Sequence, residues 1–149
     1  MKHKIYIKNR KAGFTYFLLE KFTAGIVLTG TEIKSIRAGK VSLSEAFCVF
    51  QGHELFVRDM HIAEYTYGTY QNHEPKRDRK LLLKARELKK LRTKFNEKGL
   101  AIIPVALFVN EKGLAKIDIS LAKGKHHFDK RESLKEKDMK REMDRFNKY

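Results

Sequence analysis

The sequence has very little of several things. It has one cysteine, Cys48, two prolines, Pro75 and Pro104, and no tryptophan. A single thiol excludes an intramolecular disulfide, which suits a reducing compartment. Set between Phe47 and Val49 in an apolar run, Cys48 reads as a small buried hydrophobe. So few prolines argue against a loop-dominated chain. Long hydrophobic runs are also missing. The longest, from Leu100 to Val109, is interrupted by Pro104 and is about half of the ~20 residues a membrane helix needs. The opening MKHKIYIKNRKAGF is basic but has neither an apolar stretch nor a small-residue cleavage site, so no signal peptide is expected. These absences lead to the expectation of a soluble, cytoplasmic protein. A chain of 149 residues has room for one domain with its own core, perhaps extended by an appendage.

Signs of chemistry are equally scarce. The six histidines are scattered, apart from the adjacent His126 and His127, which diverge on any one helix, and no cysteine pair completes a zinc site. No serine lies in a G-x-S-x-G elbow and no Walker loop is present. A metal-dependent nuclease would need an acidic cluster that the sequence does not show. The expectation is a non-enzyme with no catalytic residues, no metal and no cofactor.

What the sequence has in excess is positive charge. Lys and Arg number 33 against 18 Asp and Glu, a net +15. So lopsided a balance points to a polyanionic partner. No long basic amphipathic helix with bulky anchors favours a membrane surface, so nucleic acid or the ribosome is the expected partner.

Periodicity suggests a mainly β body. Phe14 to Leu28 reads as two strands or one long bent strand pair broken near Gly25. Thr31 to Gly39 reads as a short helix, with Thr31 as a candidate N-cap and Gly39 at its C-terminal end. Ala46 to Phe50 and Leu55 to Ile62 form one hairpin signal; Ile102 to Val109 and Leu114 to Leu121 form another, around Asn110-Glu111-Lys112-Gly113. Tyr65 to Pro75 reads as a loop. Leu81, Leu88 and Phe95, with Ala85 and Leu91, predict a helix from about Leu81 to Lys98, ended by Gly99. Short, mostly antiparallel strands favour an OB-like Greek-key barrel with flanking helices, since closure removes exposed edges. The character changes near Lys123. From there large apolar residues are sparse, and Met139, Met143 and Phe146 fall on one face. The expected organisation is an RNA-binding body, 1–122, and a basic tail, 123–149, disordered alone and helical against a partner.

Basic residues cluster in four places: Lys8 to Lys11; Lys34, Arg37 and Lys40; Lys76 to Lys94; and Lys123, Lys125, Lys130 and Arg131. The third holds ten basic residues against Asp78 and Glu87, and its basics are expected to fan over the face of the helix opposite Leu81, Leu88 and Phe95. Tyr65, Tyr67, Tyr70 and Phe128 could stack on unpaired bases, although loop packing explains the three tyrosines equally well.

Four strings then carry a specific likeness: Asn9-Arg10-Lys11-Ala12; AGIVLTGTEIKSIRAGKVSL from Ala24 to Leu43; NHEPKRDRKLLLKARELKKL from Asn72 to Leu91; and AKGKHHFDKRESLKEKDMKRE from Ala122 to Glu142. In this order they resemble the SmpB (small protein B) family nearly end to end. The resemblance implies an OB-type barrel and a tail unstructured in the free protein. It also implies binding to the tRNA-like domain of transfer-messenger RNA, and delivery with elongation factor Tu to stalled ribosomes. There the tail would enter the empty mRNA channel and check the decoding centre against small-subunit rRNA. Matched to this chain, Asn9 and Leu82 stand where the family contacts the tRNA-like domain. Gly124, Lys125, Asp129, Lys130 and Arg131 match the basic hinge of the tail, and Phe128 occupies the place of a ring that stacks on an rRNA base. Two positions depart: Thr23 replaces a common glutamate tied to RNA binding, and His126 replaces a usual lysine. The expected RNA contacts are thus Asn9, Arg10, Lys11, Thr23, Lys34, Arg37, Arg77, Arg79, Lys80, Leu82 and Lys84 in the body. Those of the tail are Lys123, Gly124, Lys125, Phe128, Asp129, Lys130, Arg131, Lys137 and Met139. A ribosomal or assembly protein that binds rRNA directly is the alternative.

Overall fold

A computed structural model describes residues 5–68 and 72–125, with Glu97 and Lys98 as backbone alone. In chain order the elements are β1 (Ile5–Lys8), α1 (Ala12–Thr15), β2 (Tyr16–Ile26), α2 (Gly30–Arg37), β3 (Val41–Ser42), β4 (Phe47–Gln51), β5 (Glu54–Arg58), β6 (His61–Ile62), β7 (Arg79–Leu82), α3 (Ala85–Lys98), β8 (Ala101–Val109) and β9 (Ala115–Gly124).

The two hairpins form where the turn residues place them. Gly52 between β4 and β5 has φ +62°, and Gly113 between β8 and β9 has φ +80°, conformations that a side chain resists. The Asn110 carboxamide oxygen accepts from the N–H groups of Lys112 and Leu114, closing the second turn. Pro104 lies inside β8 where its register against β9 shifts, the place in a ladder that tolerates a missing N–H.

Among the described residues the strands form a seven-stranded sheet, β1-β8-β4-β5-β7-β2-β9 with β8 also paired to β9, and a two-stranded sheet, β3-β6. Mainly β with flanking helices is the observed class. The expected OB-like barrel is corrected: pairings run round from β8 through β4, β5, β7, β2 and β9 to β8, but the wall does not close along its length. Where β4 meets β8 the ladder shrinks to one pair, Cys48↔Ile102, and where β7 meets β2 to two, Gly25↔Leu82 and Ile26↔Leu81. The rest of that β8 edge belongs to β1, from Ile5↔Val109 to Lys8↔Ala106. One edge of a nine-residue strand serves two short partners, so no single strand seals the wall along its length.

Other boundaries also move. The basic lead-in supplies a strand, β1, because Ile5 and Ile7 alternate with Tyr6 and Lys8. β2 is one strand that runs through Gly25 and carries a bulge between Leu18 and Glu20. The second arm of the first hairpin stops at Arg58; His61 and Ile62 pair instead with β3. The N-cap of α2 is Thr29, not Thr31: its hydroxyl accepts from the Glu32 N–H while the Glu32 carboxylate accepts from the Thr29 N–H. Leu81 and Leu82 are strand residues, and α3 begins only at Ala85. It ends at Gly99, φ +59°, as expected.

The core lies inside the curved sheet. Ala24, Leu55, Val57, Leu81, Leu107, Ile117 and Ile119 point inward, Ile36 of α2 and Leu91 of α3 plug it, and Cys48 is buried there as expected. No helix among the described residues is long and apolar enough to cross a membrane. The expected folding of the tail on a partner lies outside the described residues beyond Lys125.

Candidate nucleic-acid interface

Strand alternation sends every second residue of β2, β7 and β9 outward, and register decides which of these meet. Gly25 of β2 faces Leu82 of β7 on one side and Lys116 of β9 on the other. Two residues earlier, Thr23 faces Asp118. Thr23 and Leu82, far apart in sequence, therefore share one outer face, and Leu82 is half exposed on it. The Thr23 hydroxyl donates to Asp118 Oδ1 at 2.7 Å. A carboxylate thus stands one strand away from position 23, held by the Thr23 hydroxyl. The same cross-strand row continues through Ala106 to Lys8 of β1.

Asn9, one residue beyond Lys8, is buried. Its Nδ2 donates to the carbonyls of Pro104 at 2.8 Å and Leu43 at 3.2 Å, which fixes the junction between β1 and α1. Arg10 and Lys11 are exposed beside it, and Lys11 pairs loosely with Glu45 at 3.6 Å. A cavity of about 350 Å³ opens there between Asn9, Lys11, Tyr16, Glu45, Phe47 and Ile103.

The basic strip from Lys76 to Lys94 does not form one helical face. Arg79 is wholly buried, a correction to its place among the exposed contacts. It donates to the Glu32 carboxylate, to the Met60 carbonyl at 2.7 Å and to the Pro75 carbonyl at 3.0 Å. Arg77 reaches the other Glu32 oxygen at 2.6 Å. Burial alone would push the Glu32 carboxyl up; the bonds from Arg77, the Thr29 N–H and Arg79 outweigh it and hold Glu32 below the usual carboxylate range. Lys80 pairs with Glu54 at 3.2 Å, and Lys90 and Lys94 clamp Glu20 at 2.5 and 2.7 Å. Lys76, Lys84, Arg86 and Lys89 stay exposed and outside any ion pair of the described residues. Lys84 is also the N-cap of α3, its N–H donating to the Glu87 carboxylate.

Lys34 and Arg37 are exposed on α2, with the Lys34 ammonium 5.3 Å from the centre of the Tyr65 ring. Tyr65 packs edge-on to Tyr67 with ring centres 5.7 Å apart, so one tyrosine supports the other and Tyr67 is largely exposed. Lys123 and Gly124 continue β9 as far as Gly124↔Tyr16. Lys125 is docked, its ammonium 2.9 Å from the Gly13 carbonyl and 4.9 Å from the Phe17 ring centre. Tyr70, His126, Phe128, Asp129, Lys130, Arg131, Lys137 and Met139 lie outside the described residues.

Sequence reasoning missed Glu32 as a buried anchor and missed Lys116 and Asp118 as part of the outer face. The alternation of β9 marks both as outward, but nothing in it says that they lie beside Thr23 and Gly25. No group of three or more metal-ligating side chains that could hold an ion occurs among the described residues.

Comparison with known proteins finds likeness along nearly the whole chain. The model of the family described as SmpB protein matches residues 6–149. The SsrA-binding protein of Christiangramia forsetii is 56% identical over 99% of this chain and 94% of its own length. That of Phocaeicola vulgatus is 60% identical over 97% of this chain and 96% of its own. A solved structure described as "tmRNA-SmpB: a journey to the center of the bacterial ribosome" is 44% identical with a TM-score of 0.70, covering 83% of this chain and 86% of that one. A likeness this close, spanning the outer face, the buried Glu32–Arg79 pair and the residues beyond them, makes the chain a member of the SmpB protein family.

Proposed function

We propose that this chain is a non-catalytic adaptor of trans-translation, which binds transfer-messenger RNA and accompanies it to the ribosome. The observation that carries the reading is the family match over residues 6–149, which takes in both the sheet face and the chain beyond it. Physical chemistry supports it: a net +15 suits a phosphate backbone, and recognition by a shaped, charged face needs no reacting groups.

In finer detail, the body, 1–122, holds the tRNA-like domain. Thr23 with Asp118, Leu82, Arg10, Lys11, Lys80 and Lys84 meet the RNA, Lys34 and Arg37 add charge, and Asn9 positions the loop that carries Arg10 and Lys11. Arg77 and Arg79 act from behind, by holding β7 through Glu32. The tail, 123–149, reads the ribosome: Lys123, Gly124 and Lys125 aim it, Lys130 and Arg131 meet rRNA phosphates, Phe128 stacks on a base, and Lys137 and Met139 lie in the mRNA channel near the decoding centre. Elongation factor Tu joins in delivery.

The test is binding to the tRNA-like domain of transfer-messenger RNA, titrated against salt with ordinary tRNA and duplex RNA as competitors. The expected result is a preference for the tRNA-like domain that persists at physiological salt. Equal, weak binding to all three, erased by salt, would overturn the reading and favour general rRNA binding.

A further inference from the structure

The row of outward residues that contains Gly25 does not stop at Lys116. Lys116 of β9 faces Phe108 of β8, and Phe108 faces Tyr6 of β1. Five strands thereby line up Tyr6, Phe108, Lys116, Gly25 and Leu82 across one face. The inward neighbours Ile5, Leu107, Ile117, Ala24 and Leu81 belong to the core or pack on it, so the two sides of the sheet are clearly sorted. Tyr6 and Phe108 are stacked, their ring centres 6.2 Å apart and their planes 22° from parallel, and Tyr6 is 54% exposed. Leu82 at the far end is 51% exposed. Between them Gly25 carries no side chain, and Leu82 leans over it: a β-carbon there would stand 3.4 Å from Leu82 Cβ. The row is an aromatic pair, a cation, a shallow hollow floored by backbone, and an aliphatic wall.

An exposed ring on a sheet, backed by a half-buried second ring and with lysines in the same and the next row, forms the chemistry that receives unpaired bases: stacking is sequence-tolerant and cations hold the linking phosphates. The charges of the face fit that occupant. Lys116 and Lys8 lie on it, and its carboxylate, Asp118, is engaged by Thr23.

We propose that Tyr6, Phe108 and Lys116 form a base-stacking platform that extends the RNA-binding face from Leu82 across to β1, and that unpaired nucleotides of the bound RNA lie on it. This rests on the adaptor reading, and adds to it a second contact region and the state of the RNA that fits there.

The test uses the full chain and the tRNA-like domain of transfer-messenger RNA. The sequence holds no tryptophan, so Tyr6→Trp places one reporter on the platform. Its emission should fall when RNA is added, as a base stacks on the indole. Tyr6→Leu keeps apolar bulk but removes the ring, and should weaken binding by about tenfold, as expected for one stacked base. The slope of log affinity against log salt should stay unchanged, because no charge is lost. Tyr6→Phe should bind like the parent, and all three variants should match its far-ultraviolet circular dichroism. RNA that binds normally to Tyr6→Leu and leaves the Tyr6→Trp emission unaltered would overturn the platform while leaving the adaptor reading intact. Failure of the parent protein to prefer the tRNA-like domain would overturn both.

Discussion

Glu32 is in sequence one residue of a short helix, and in the fold it is held by more charged and polar partners than a helix position requires. Its carboxylate caps α2 and receives two guanidinium groups, of which Arg79 is wholly buried. Removing one partner of such a pair strands the other charge out of water. Glu32→Gln should therefore cost about 3–5 kcal/mol of stability, read as a shift in the urea midpoint. Truncating Glu54, whose bridge to Lys80 is half exposed, should cost no more than about 1 kcal/mol. The pair also sets a pH dependence. The folded carboxyl titrates below its ordinary value of 4.5, so its contribution is complete above that value and is lost as pH falls through the folded value. The acid limb of stability should be shallower in Glu32→Gln than in the parent, and equal limbs would show that Glu32 does not carry it.

At the scale of elements, two helices are held in different ways. α2 is short and depends on its capping box; Thr29→Ala should cost about 1 kcal/mol by thermal melting. α3 is longer but strongly basic, and among its described side chains Leu91 is the one fully buried in the core. Leu91→Ala should cost about 2–5 kcal/mol, and amide exchange should quicken across α3 before it does in β8 or β9. The start of α3 shows why periodicity misled: Leu81, Leu88 and Phe95 keep a seven-residue spacing, yet Leu81 is a strand residue in register with Ile26 and Leu55. A helix stripe and an inward strand position both demand leucine, and only pairing partners distinguish them.

For the whole molecule, the excess charge is partly consumed at home. Arg77, Arg79, Lys80, Lys90 and Lys94 all neutralise carboxylates of the body, so the number of phosphates held is smaller than the count of basic residues suggests. The division into body and tail makes a separate prediction. A chain ended after Lys125 keeps all of β9 and the sheet face, and should bind the tRNA-like domain with unchanged affinity while losing tagging of stalled peptides in a reconstituted translation reaction. Loss of both with the body folded would overturn that division.

Much was determined by sequence alone: a polyanionic partner from the charge, the two hairpins from their glycine-containing loops, the end of α3 from Gly99, a buried Cys48, and the family from four strings in order. These follow from local backbone chemistry or from composition, which a linear reading contains. What only tertiary structure decided is which residues meet. That β1 takes part of the β8 edge and the expected barrel does not close, that Arg79 is inside, that Asp118 stands beside Thr23, and that Tyr6 reaches towards Leu82 through Phe108, Lys116 and Gly25 are all consequences of strand register. Register is set by how distant apolar residues share one core, so no short stretch of the chain records it.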